Sequence, residues 1–129
     1  MIKKETRKSL KKKLDILWSL AVRRKYPVCV VCGKDTYLSS HHVICRKGMS
    51  EHVRWIVENG VTLCAGCHLF KLHKGQADFQ WLKKFIDIVN SLVPPTAQLG
   101  IIASSKITDK YKVKDLERLI GEFDNEEVK

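Results

Sequence analysis

The chain has 129 residues, 44% of them hydrophobic and 29% charged, with a net charge of +10. That is an ordinary soluble composition, long enough for one modest core, and no stretch approaches the roughly 20 apolar residues of a membrane span. The charged start is not followed by the apolar segment of a secretory signal, so an intracellular protein without membrane contact is expected.

The charge is concentrated at the front. Residues 1–25 hold ten Lys/Arg against two acids, a net of +8, whereas residues 26–75 carry +3 and residues 76–129 carry −1. A basic front half points to a polyanionic partner, and nucleic acid is the usual one. Residues 4–25 read as a helix, because Leu10, Leu14, Leu17, Trp18 and Ala21 recur at three- and four-residue steps. Lys4, Arg7, Lys8, Lys11 and Lys12 occupy much of its remaining surface. They either solvate the helix or meet phosphates, and one face can pack while the other binds. Tyr26-Pro27 ends the helix, since the residue before proline disfavours the helical region.

All five cysteines and all five histidines fall between Cys29 and His73. Cys29-Val-Val-Cys32 and Cys64-Ala-Gly-Cys67 are two Cys-x-x-Cys knuckles, and together they fill the tetrahedral shell of one structural zinc. Cys45 is left over and reads as a packed or incidental thiol. Paired knuckles with an odd cysteine fit a reducing compartment better than a disulfide framework. Between the knuckles, Thr36-Tyr37-Leu38 is rich in β-formers and begins a strand leading into His41-His42-Val43-Ile44. Arg46 to Glu51 is a polar loop, and its Arg46 and Lys47 join the expected nucleic-acid-binding set. His52, at the end of that loop, reads as exposed or packing. Val53 to Val57 suggests a short second strand, Asn59-Gly60 a turn, and Val61 to Leu63 the entry to the second knuckle.

Cys67 to Gly75 reads as a short helix stopped by glycine. Residues 77–93 form a broad amphipathic helix carrying Leu82, Phe85, Ile86, Val89 and Val93, widened by Trp81, Ile88 and Leu92. So wide an apolar face implies burial or a subunit interface, and a homodimer through the C-terminal helices is one expectation. Pro94-Pro95 breaks the helix, residues 96–105 read as a mixed linker, and Val113 to Phe123 as a last amphipathic helix. No chemistry is evident in residues 77–129.

Four thiolates on zinc leave no open coordination position, so that site is a staple and a poor catalyst. The histidines beside it are not needed by it. Adjacent residues on a strand point to opposite faces, so His41 and His42 cannot both ligate one metal, and a division into one ligand and one base is natural. His68 follows Cys67 directly, and the knuckle fixes where it points. A metal held by few imidazoles keeps positions for water and phosphate oxygen, which suits phosphodiester hydrolysis, with a neutral histidine to take the proton from water.

In this order, His41-His42-Val43-Ile44, Asn59 and Leu63-Cys64-Ala-Gly-Cys67-His68 resemble the HNH nucleases of the ββα-metal, or His-Me finger, superfamily. The double knuckle is also similar to zinc-stapled endonuclease VII-type phage resolvases and small phage recombination nucleases. The resemblance covers about residues 27–75. It implies an α+β fold with a ββα-metal core, a β-hairpin plus short helix stapled by a four-cysteine zinc, flanked by three helices. It divides one domain of 129 residues into a basic N-terminal helix (1–26), the zinc-stapled core (27–75) and a helical extension (76–129). It further implies DNA as substrate, His42 as general base, His41 and His68 as ligands of one catalytic divalent ion, and Asn59 as the brace of the loop between the strands. His73 stands one residue beyond the usual spacing for a further ligand. Magnesium or manganese is the expected ion, with nickel or zinc as alternatives; His41 stands where zinc-stapled relatives often have Asp, which shifts preference toward softer metals. The location implied is a bacterial or phage-infected cytoplasm or another DNA-containing compartment. The alternative is a non-catalytic, zinc-stapled DNA-binding module, whose histidines would only pack or touch phosphate.

Overall fold

The computed structural model describes residues 6–43, 50–73, 75, 77–107 and 109–127. Lys4, Cys45, Arg46 and Lys47 lie outside the described residues, and so does the side chain of His73. The chain is a mixed helix and strand fold built around one helix, α1 (Arg7–Lys25). Thr6 caps it, its hydroxyl accepting from the Ser9 N–H at 3.2 Å, which satisfies one of the helix's orphan donors. Leu10, Leu14, Trp18 and Val22, four residues apart, form its buried stripe. The last of these was not anticipated from the sequence.

The strands are β1 (Leu38–His42) and β2 (Gly60–Cys64). They pair antiparallel in the register Leu38↔Cys64, Ser40↔Thr62 and His42↔Gly60. β2 is buried at every residue, whereas β1 is half-buried throughout. The side chains of Ser40, His42 and Thr62 reach α1 on one face, while those of Ser39 and His41 reach toward the segment after β2 on the other. The expected strand start at Thr36 is corrected to Leu38. Tyr37 sits in the left-handed region at φ 53 and is 86% exposed, and a strand cannot run through that conformation.

Val53 to Val57 is not a strand. It is a short helix, α2 (Glu51–Arg54), followed by a 3-10 turn at Val57–Asn59. Alternating Val53 and Trp55 mimic a strand, but Ser50 caps the helix by accepting the His52 N–H at 3.1 Å, and β1 already has its partner in β2. After β2 comes a π-helical segment, Gly66–His73. Then follow α3 (Phe79–Leu92), α4 (Pro95–Ser105) and α5 (Val113–Glu127). The expected linker at 96–105 is therefore a helix. Pro94-Pro95 both stops α3 and starts α4, because proline at the first helical position is pre-set for the helix and needs no N–H partner.

Three apolar clusters hold these elements together. The first joins Leu10, Leu14, Trp18 and Val22 to Trp55 and Leu116, so α5 folds back on α1. The second joins Val31, Val61 and Leu63 to the cysteines Cys29, Cys64 and Cys67, with Trp81, Phe85, Ile88 and Leu92 of α3 as its cover. The third pins α4 through Val53, Val93 and Ile101. Phe79, Leu82 and Ile86 on α3 remain exposed. Among the described residues, no single helix is long and apolar enough to cross a membrane.

Gly60 shows how closely α1 and β2 approach. A Cβ there would lie 2.5 Å from Val22 Cγ2 and 2.7 Å from Trp18 Cζ2. Gly60→Ala should therefore force the helix off the sheet and cost about 1–3 kcal/mol, the usual penalty of overpacking. Urea denaturation reads this as a lower midpoint, and a midpoint equal to wild type would show that the interface has slack.

A polar knot closes the far side. Glu51 is buried and pairs with Arg7; Lys11 Nζ lies 3.4 Å from the same carboxylate oxygen. The Tyr111 N–H donates to the other oxygen at 2.8 Å. Burial raises the affinity of Glu51 for a proton, but the bonds from Arg7 and Tyr111 and the charges of Arg7 and Lys11 outweigh it and hold the carboxyl below its ordinary 4.5. A carboxyl depressed in the folded state stabilises above its unfolded value and loses that contribution as pH falls through the folded one. Glu51→Gln should thus cost about 1–3 kcal/mol at pH 7. The gap to wild type should narrow as the medium is acidified below the ordinary carboxyl range, which melting curves across pH will check.

Candidate functional site

The first centre is the cysteine cluster. In the first knuckle, the Gly33 N–H donates to Cys29 O at 2.9 Å and the Cys29 N–H to Lys34 O at 2.8 Å. Gly33 turns the chain at φ 79, a conformation open to glycine at no steric cost. The Val30 N–H donates to Thr62 O at 3.0 Å, which seats the knuckle against β2. The second knuckle leaves the end of β2 and enters the π-helical segment. Both turns aim their thiols at one point, and the four sulfurs of Cys29, Cys32, Cys64 and Cys67 lie within 4.8 Å of one another.

Sulfurs bound to a tetrahedral zinc at about 2.3 Å stand about 3.8 Å apart. The Cys32–Cys64 separation of 3.5 Å belongs to that spacing and is far from a disulfide. The electrostatics also ask for a cation. Burial raises the Cys29 thiol, but backbone N–H groups of the two knuckles outweigh it and bring it down to about 7. Burial, the neighbouring sulfurs and the Cys29 charge all push Cys67 up, and burial raises Cys32 as well. Four thiolates this close, three of them on buried cysteines and Cys32 exposed, repel one another, and a divalent ion removes the conflict. The four cysteines can hold a metal ion, and their geometry is consistent with structural zinc.

The histidines diverge as the strand alternation requires. His41 turns to the side of the π-helical segment, where its ring centroid lies 5.1 Å from that of His68, edge to face. Ser39 Oγ lies 2.9 Å from His68 Nδ1. Ser39 Oγ also donates to Leu63 O at 3.4 Å, so it can accept from Nδ1–H, the tautomer that leaves the lone pair on Nε2.

His42 turns the other way. Its ring stacks on the Trp18 indole with centroids 4.0 Å apart and planes 6° from parallel. Its Nε2–H donates to Arg54 O at 2.8 Å. Burial holds the ring below its ordinary 6.5; the Arg54 carbonyl and Asp15 pull the other way, and the Arg54 charge lowers it further. The imidazole is accordingly neutral at physiological pH. Asn59 is fully buried. Its side-chain Nδ2 donates to Val53 O at 3.1 Å, and its backbone carbonyl accepts the Val43 N–H at 2.9 Å. It ties the connection between the strands to the end of β1.

The expected phosphate-contacting residues of α1 divide in two. Lys8 and Lys12 are exposed. Arg7 is engaged inward, its Nε donating to Tyr111 O at 3.0 Å and its Nη2 bound to Glu51, and Lys11 leans on the same carboxylate. His52 packs on Tyr111 with ring centroids 4.4 Å apart. Ser39, Asp15, Trp18 and the Arg54 carbonyl were not identified from the sequence as parts of this site.

Compared with family models, with curated proteins and with solved structures, the chain matches none significantly.

Proposed function

We propose that the protein is a metal-dependent DNA endonuclease of the HNH, ββα-metal type. The observation that supports it most is the split of the adjacent histidines: His41 meets His68 beside the cysteine cluster, while His42 is held apart by a stack and a backbone carbonyl, with burial favouring its neutral form. A purely structural zinc module needs neither arrangement. In this reading the cysteines hold zinc, and His41 and His68 hold one magnesium or manganese ion, with nickel or zinc as alternatives.

When bound, that ion supplies positive charge for the phosphate oxygens. The chain's own groups do the rest. Because Nε2–H of His42 is committed to the Arg54 carbonyl, the lone pair lies on Nδ1, and Nδ1 takes the proton as water attacks phosphorus. The P–O3′ bond breaks as the new P–O bond forms, and the departing 3′ oxygen takes a proton from solvent water, leaving 5′-phosphate and 3′-hydroxyl ends. Asn59 keeps the inter-strand connection in place, and the exposed Lys8 and Lys12 offer positive charge to the DNA backbone. Incubation with supercoiled plasmid and Mg²⁺ or Mn²⁺ tests the proposal. Nicked or linear product is expected; a gel shift without cleavage would favour the DNA-binding module instead.

A further inference from the structure

We propose that α1 does more than pack and bind phosphate: through Asp15 and Trp18 it positions His42, so that both are positioning residues for the base. This rests on the nuclease reading above. His42 ends β1 opposite Gly60, where the strand by itself leaves the ring two degrees of freedom, its tilt and its rotation about the bond to Cβ. Trp18 fixes the tilt by stacking in parallel at 4.0 Å. The Arg54 carbonyl fixes the rotation by accepting from Nε2 at 2.8 Å.

That carbonyl lies at the end of α2 and is itself held by α1. The Arg54 guanidinium forks onto Asp15, with Nε 3.0 Å from Oδ1 and Nη2 2.7 Å from Oδ2. Trp55 Nε1 donates to the same Oδ1 at 2.9 Å, and Trp18 Nε1 donates to Ile56 O at 2.7 Å. Residues 54, 55 and 56 are thus each tied to Asp15 or Trp18, which stand one helical turn apart on one face. A bidentate Arg–carboxylate fork constrains geometry more than a single bond. An ion pair with side chains 30% and 43% exposed adds little to folding, so its worth lies in placement, where a shift of about 1 Å can cost on the order of 100-fold in rate.

Asp15→Asn breaks the fork while keeping the side-chain shape. Expected is a fall in kcat of about 10- to 100-fold, with KM for DNA, zinc content and the melting temperature close to wild type, and no recovery at high Mn²⁺. Trp18→Phe should keep more activity than Trp18→Leu, since it retains a ring for the stack. Nitrogen-15 NMR of histidine-labelled protein should show the His42 Nε2–H signal shifted or lost in Asp15→Asn. Wild-type kcat in Asp15→Asn, a defect confined to KM, or a defect cured by Mn²⁺ would overturn the inference. If wild-type protein cleaves no DNA, the nuclease reading falls, and the NMR signal still decides the clamp: unchanged His42 resonances in Asp15→Asn refute it.

Discussion

Metal removed from the cysteine cluster should take the fold of the central segment with it. Val31, Val61 and Leu63 are buried together with Cys29, Cys64 and Cys67, and α3 covers that cluster through Trp81, Phe85, Ile88 and Leu92. Without an ion the four sulfurs in that pocket either carry uncompensated charge or keep protons that lengthen their contacts. Structural zinc contributes an apparent 10–16 kcal/mol in small zinc-stapled folds, as much as the whole stability of an ordinary domain, about 5–15 kcal/mol. Chelated protein and Cys64→Ser should therefore lose the cooperative melt and most of the near-ultraviolet signal of Trp81. The α1–α5 cluster contains no cysteine, so part of the helical signal should remain. A metal-free protein that melts with the cooperativity and midpoint of the zinc form would remove the staple from the account.

What the sequence made legible was local. The two knuckles are four-residue patterns, and the structure brings their sulfurs within 4.8 Å. The stripe of α1 repeats every turn, and three of its expected members, Leu10, Leu14 and Trp18, are buried. The opposite facing of His41 and His42 follows from strand geometry alone, and the two rings indeed meet different partners. Structure departs from local pattern where pattern and context disagree. Val53 and Trp55 alternate like strand residues, yet the ladder position beside β1 belongs to β2. Pro94-Pro95 looks like a stop and is also a start. Residues whose importance is purely spatial gave no signal. Asp15 lies 39 residues from Arg54, and Ser39 lies 29 from His68; neither stands in a motif, and ordinary polar residues carry no mark of the partner that folding gives them.

Replacement of the two adjacent histidines should separate their proposed roles. His42→Ala is expected to lower the cleavage rate by about two to four orders of magnitude, the usual worth of a positioned general base. The variant also loses the stack on Trp18, at about 0.5–1.5 kcal/mol, and the hydrogen bond to Arg54 O, at about 0.5–1.5 kcal/mol, and a melting curve at assay temperature checks that it is folded. Zinc content, DNA affinity and divalent-ion binding should persist, because His42 faces α1 and not the pair formed by His41 and His68. His41→Ala and His68→Ala should instead weaken the catalytic ion and recover part of their rate at high Mn²⁺, since mass action can refill a weakened site. Ser39→Ala should resemble a mild form of His68→Ala, about 10- to 100-fold weaker in metal affinity, as expected when the hydrogen bond orienting a ligand is removed. The decisive measurement is cleavage rate against Mn²⁺ concentration for all four variants. A His42→Ala curve that rises to the wild-type plateau would make His42 a ligand, and a flat, fully active one would remove it from the chemistry.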